Sequence, residues 1–160
     1  MKKRKVWRYW CDHCGKGGCG GGAIAKHERH CCRNPSRICR VHKSEERPDA
    51  VLSPQRPIAE LIAVFEAEGT GEERLARLRK LSDECPFCIL SALLQSSALR
   101  RSRDEYQRDR DATTSDDLAA GYFSPKDELI DARDAFDFKK EKDAFWSFWN
   151  NERGDMGAMS

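Results

Sequence analysis

Cys11, Cys14, His27 and Cys31 are spaced to hold a metal ion. Cys11 and Cys14 form a C-x2-C pair, which lets one tight turn aim both sulfurs at a single point. His27 and Cys31 are four residues apart, an interval that puts both on one face of a helix. Together they can close a tetrahedral zinc site. His30 and Cys32 compete with Cys31 for the last position, and helical register favours Cys31. A second set is split along the chain: "CRVH" carries Cys39 and His42, and "CPFC" carries Cys85 and Cys88. Each half-site has a two-residue gap, and together they make a site of three cysteines and one histidine. Such a site closes the long loop between His42 and Cys85. Cys88 falls in the first turn of an expected helix, where the helix terminus favours a thiolate. The cofactors expected are therefore two zinc ions. Four protein ligands fill each site, which marks a structural zinc and not a catalytic one. His13, Cys19, His30 and Cys32 are left over.

The competing chemistries fit less well. Eight cysteines in 160 residues would suit a disulfide scaffold in a secreted protein. The basic start "MKKRKVWRYWC" is not followed by an apolar stretch of signal-peptide length, so metal in a cytoplasmic protein is the better reading. A redox reading of "CPFC" calls for a neighbouring strand in an α/β fold, and its surroundings read as helix. His30, Asn34 and His42 invite comparison with His-Asn-His nucleases, but the spacing is too compressed for that motif. There is no nucleophile elbow, phosphate loop or acidic metal triad, so no enzyme is expected. The pairs Asp116-Asp117 and Asp127-Glu128 read as helix caps. No apolar run approaches the ~20 residues of a membrane span, and neither a membrane nor a small-molecule substrate is expected.

The elements that must position these ligands are mainly α. Residues 1–43 form a Cys/His-rich head, with little strand expected outside it. "KSEERPDAVLSPQRP" reads as a connecting loop. Ile58, Leu61, Ile62 and Phe65 then recur at helical spacing up to Gly69. A second helix follows with a Thr70/Glu73 capping box and Leu75, Leu78 and Leu81 on one face. A third, "CPFCILSALLQSSALRR", starts at Pro86 and buries Ile89, Leu90, Leu93 and Leu94. The body thus spans 44–100. Residues 101–123 are nearly devoid of apolar side chains and read as a charged linker or a solvated helix extension. The tail, 124–160, starts a helix near Ser124-Pro125 and ends in one that bears Phe138, Phe145, Phe148 and Trp149 at helical spacing. Its aromatics read as core if it packs on the body, or as a protein-docking face if the linker holds it apart. The fold expected is a small zinc-stabilised domain: a finger-like head, a helical bundle and a C-terminal helix.

The head resembles a two-cysteine, two-histidine zinc finger whose final histidine is replaced by cysteine. Tyr9 takes the leading aromatic position and Ile24 the leucine. Gly18, in "GKGGCGGG", stands where the finger pattern has phenylalanine, so Trp7, Trp10 or the downstream helices are expected to supply the packing. The base-reading positions fall on Gly20, Ala23 and Lys26. Only Lys26 has reach, so sequence-specific readout is not expected of this finger. Charge points to a different kind of contact. Residues 1–47 hold 13 Lys/Arg against 4 Asp/Glu, and the remainder holds 16 against 23. A basic head interleaved with Trp7, Tyr9 and Trp10 suits nucleic acid held through phosphates, or an acidic protein surface. A basic end folded onto the chain's own acidic part is the alternative. The candidate contacts are Lys2, Lys3, Arg4, Lys5, Arg8, Lys26, Arg29, Arg33, Arg37 and Arg40. Finally, "HERHCCRNPSRIC" with the later "CPFC" helix resembles small zinc-finger proteins of bacteriophages and prophages. That resemblance implies a viral, host-cytoplasmic setting and brings no established activity with it. The partner expected from the basic head is nucleic acid, with a host or virion protein as the alternative.

Overall fold

The computed structural model describes residues 7–45, 48–115 and 127–156. Strand β1 (Tyr9–Trp10) pairs antiparallel with β2 (Gly17–Gly18), setting Tyr9 opposite Gly18 and Trp10 opposite Gly17. The turn between them carries Cys11 and Cys14. It closes through Gly15 N–H to Cys11 O and Cys11 N–H to Lys16 O, both 2.9 Å. Gly15 has φ +71°, a left-handed conformation that costs glycine nothing. Helix α1 (Gly21–His30) follows and buries one residue, Ile24.

The glycines of this head now have a reason. A Cβ at Gly18 would stand 3.2 Å from Ile24 Cδ1, so Ile24 itself occupies the space the phenylalanine of a finger would fill. A Cβ at Gly17 would lie 2.5 Å from the Trp10 ring, which rests against the backbone there. Of the candidates expected to supply packing, Trp7, Trp10 and the downstream helices, Trp10 covers Gly17, and the small core itself is Ile24 against Cys11 and Cys31.

The body begins with α2 (Ile58–Glu66), whose Ile58, Leu61 and Phe65 are buried. Helix α3 (Gly71–Leu81) opens on the expected capping box: Thr70 Oγ1 accepts from Glu73 N–H, and the Glu73 carboxylate accepts from Thr70 N–H. Helix α4 (Pro86–Gln95) starts with Pro86 in its first turn. It packs against α2. Of its expected apolar face, Ile89 and Leu93 are buried and Leu90 and Leu94 half-buried.

Three features sharpen the sequence reading. The third helix is two helices, because the backbone breaks at Ser96 and α5 (Ser97–Ala112) restarts. Ser96 Oγ caps it by accepting from Leu99 N–H and itself donates to the Glu66 carboxylate (2.7 Å), which also accepts from Ala98 N–H. Of the two readings of the charged stretch from 101, helix extension or linker, the extension holds as far as Ala112. Second, of the two placements open to the tail, the docked one is found. Helix α6 (Glu128–Asp134), capped by Asp127, packs on α3 and α5, and α7 (Phe138–Met156) packs on α4. Ile130, Ala132, Phe136 and Phe145 belong to the same buried cluster as Leu61, Phe65, Leu78 and Ile89. Of the tail's aromatics, Phe136 and Phe145 are core and Phe138 and Trp149 half-buried against it, while Trp146 and Phe148 are 40 % and 56 % exposed. Third, the loop before α2 does more than connect: Leu52 is buried in the core. The expected helix start at Ser124-Pro125 and the Asp116-Asp117 cap lie outside the described residues.

Candidate metal centres

Two groups of four ligand atoms converge, each lying within 4.8 Å of one another: Cys11, Cys14, His27 and Cys31, and Cys39, His42, Cys85 and Cys88. These are the eight residues that spacing singled out. In the first group the β1–β2 turn supplies two sulfurs and α1 supplies His27. Cys31 follows as the residue that ends the helix. Cys14 Sγ and His27 Nε2 are 3.2 Å apart. That hydrogen bond draws the Cys14 thiol down to about 6, while burial pushes Cys31 up to about 11. Backbone N–H groups of Lys16 and Arg33 also favour the thiolates of Cys14 and Cys31. The competitors for the fourth position are engaged elsewhere or lie apart: His30 Nδ1 bonds Ile38 O at 2.7 Å, and Cys32 is outside the cluster.

The second group is wholly buried and forms part of the main core. Cys85 is the residue before α4, and Cys88 lies in that helix's first turn. Cys39 and His42 come from the loop after α1. The sulfurs of Cys39 and Cys85 are 3.7 Å apart, matching the edge of about 3.8 Å that Zn–S bonds of ~2.3 Å give in a tetrahedron. His42 Nδ1 bonds Ser53 O at 2.8 Å, so its proton is spoken for on that side. Nε2 is buried with no hydrogen-bond partner. A buried nitrogen lone pair aimed among three sulfurs is the donor set of a structural zinc, with the carbonyl fixing the tautomer. Hydrogen bonds from Cys85 and Cys88 hold Cys39 down at about 2, and that same thiolate pushes Cys85 up to about 12 and Cys88 upward too.

Each cluster can hold one zinc ion. Between them the chain is locked by side chains that carried no warning in the sequence. Arg37 was expected on the contact surface; it is 6 % exposed, and its guanidinium donates to Phe87 O (2.7 Å) and Ser91 Oγ (2.6 Å). It therefore pins the inter-site loop to α4 and cannot reach a partner. Gln95 Nε2 donates to Cys32 O and Asn34 O, and Gln55 brackets Cys39 N–H and Arg37 O. Asn34, the centre of the nuclease comparison, donates to Glu28 O and accepts from Ser36 N–H. Among the other candidate contacts, Arg8, Lys26, Arg29, Arg33 and Arg40 are exposed, while Lys2, Lys3, Arg4 and Lys5 lie outside the described residues.

These features define a mainly helical protein with two Cys3His clusters, one in a ββα head and one joining head to bundle. Comparison with protein families, curated proteins and solved structures finds no match. Among the described residues no helix is long and apolar enough to cross a membrane.

Proposed function

We propose that this is a non-enzymatic protein with two structural zinc sites, whose basic head binds nucleic acid mainly through phosphates. A phage-encoded protein working in a host cell is the setting in keeping with its resemblance. The reading rests on the surface of the ββα head. Trp7, Tyr9 and Trp10 are 76 %, 48 % and 57 % exposed, and Arg8, Lys16 and Lys26 are exposed on the same small unit. Exposed aromatics give bases a face to stack on, and the cations hold the backbone. The clusters themselves support binding over catalysis, since four protein ligands leave no position for a substrate. Helix α1 and its N-cap put Gly20, Ala23 and Lys26 where bases would be read, so the contact positions and does not specify.

Fluorescence anisotropy of zinc-loaded protein against duplex DNA, single-stranded DNA and RNA tests this. Affinity that falls steeply with salt is expected; no binding at low salt would end the reading. A second reading, docking on a host or virion protein, draws on Trp146 and Phe148, which are 40 % and 56 % exposed on α7. Its test is affinity capture that depends on those two side chains.

A further inference from the structure

A groove of about 1020 Å³ runs between the head and the C-terminal half of the molecule. Its floor and walls come from His13 and Arg33 on the head side, from α5, and from Arg133 on α6. Its size is at the upper end for a small-molecule pocket, but its chemistry is wrong for one, since such pockets are mostly apolar. Five arginines line it (Arg33, Arg100, Arg103, Arg110 and Arg133) against two carboxylates, Asp104 and Asp134. Along α5, Arg100, Arg103, Gln107 and Arg110 recur at three- and four-residue intervals. At 1.5 Å per residue they form one polar stripe about 15 Å long. Among the described residues, the side chains of Arg33, Arg100 and Arg103 enter no hydrogen bond or ion pair. Cations gathered this way repel one another unless an anion joins them. Tyr106 lines the same groove between Arg103 and Arg110 on the helix, its ring half-buried, packed on one side against the main buried cluster.

We infer that this groove is a channel for a single strand of nucleic acid, continuing the contact of the head. The inference rests on the proposed nucleic-acid function and names where, and in what form, the ligand lies. Guanidinium forks match phosphate oxygens two at a time. A row of them tracks a backbone, and an aromatic side chain set in the row stacks a base without regard to its identity. An acidic peptide would meet the same arginines but has no use for the Tyr106 face. A duplex keeps its bases paired and could not turn one onto that ring.

The test uses the full-length, zinc-loaded protein and labelled oligothymidylate, with a duplex of the same length beside it. The Arg100→Gln/Arg103→Gln variant removes charge from exposed positions of a helix that stays capped, and zinc content with thermal melting checks that it is folded. Its affinity for the single strand is expected to fall at least about tenfold. Its salt slope should fall by about 1.4, because each phosphate neutralised on a single strand contributes ~0.7. Tyr106→Leu should weaken the single strand without changing the slope, and Tyr106→Phe should restore it. If Arg8→Gln/Lys26→Gln abolishes binding while the groove variant keeps wild-type affinity and slope, the channel is refuted and the head alone carries the function. If the wild type binds no nucleic acid, both ideas fail together. Displacement by poly-glutamate as readily as by unlabelled oligothymidylate would show that the channel takes acidic chains in general, and would overturn the ligand named here.

Discussion

Three buried thiols around one point cannot ionise independently. At neutral pH the metal-free second cluster holds one thiolate, Cys39, kept at about 2 by hydrogen bonds from Cys85 and Cys88. Cys85, at about 12, and Cys88, also raised, keep their protons. Zinc needs all three as thiolates, so loading it there should expel about two protons and strengthen binding about 100-fold per pH unit. The sign follows from the raised groups: acid holds the protons on and releases the metal. Were the metal-free pocket unfolded, Cys39 would titrate near the ordinary ~8.5 and about three protons would leave. Calorimetry in two buffers of different ionisation enthalpy, on a Cys11→Ser/Cys14→Ser variant that isolates this site, tells two from three. Just ahead of Cys85, Asp83 and Glu84 both adopt left-handed backbone, with φ of 51° and 55°. Each such residue costs about 1–2 kcal/mol. Glu84→Gly is therefore expected to stabilise the zinc-loaded protein by about 0.5–1 kcal/mol after glycine's own entropy, read from the denaturant midpoint. At this scale the ligands were legible in the chain because C-x2-C, C-x2-H and H-x3-C are short-range codes that a turn or a helix decodes by itself. Arg37 was not. Only the arrival of α4, some fifty residues on, turns a surface cation into a buried staple, and nothing beside it in sequence announces that.

Elements meet closely in one place and loosely in another, and two glycines report the difference. A Cβ at Gly71, the first residue of α3, would stand 2.9 Å from both Ala132 N and Glu128 O. Those are backbone atoms of α6 and cannot swing aside. Gly71→Ala is expected to cost about 1–3 kcal/mol, as overpacking does. Gly22, in the first turn of α1, has nothing within 4 Å of where a Cβ would be. Gly22→Ala should stabilise by about 0.5–1 kcal/mol through the entropy of the unfolded chain. Opposite shifts of the two denaturation midpoints check the pair. The same scale shows where periodicity misleads. Apolar residues run through "CPFCILSALLQSSALRR" with no break a local rule would catch. The helix ends at Gln95 because Glu66, on another helix, receives the Ser96 hydroxyl and the Ala98 N–H and so caps a new start. The α3 capping box, by contrast, lies wholly within four consecutive residues, and it was legible for that reason.

The two metal clusters divide the molecule unequally. The first has a small core of its own, Cys11, Ile24 and Cys31, drawn from a single ββα unit. The second has none: Cys39, Cys85 and Cys88 are members of the main buried cluster, alongside residues of α2, α3, α4, α6 and α7. Its geometry therefore depends on the whole bundle, including a tail that reads in sequence either as core or as a separate docking face. Removing residues 127–160 takes away Ile130, Ala132, Phe136 and Phe145. It also removes Glu141, which bonds Arg79 on α3. Large-to-small truncation of one such aromatic costs about 3–5 kcal/mol, and a domain of this size has about 5–15 kcal/mol in all. The shortened chain is thus expected to lose the bundle and with it the second zinc, while the head retains the first. Metal analysis after gel filtration should give about one zinc per chain where the full-length protein gives about two. A shortened chain that held both ions and melted as before would mean that α6 and α7 only lie against a bundle complete without them. The second site would then be a property of the body and the inter-site loop alone.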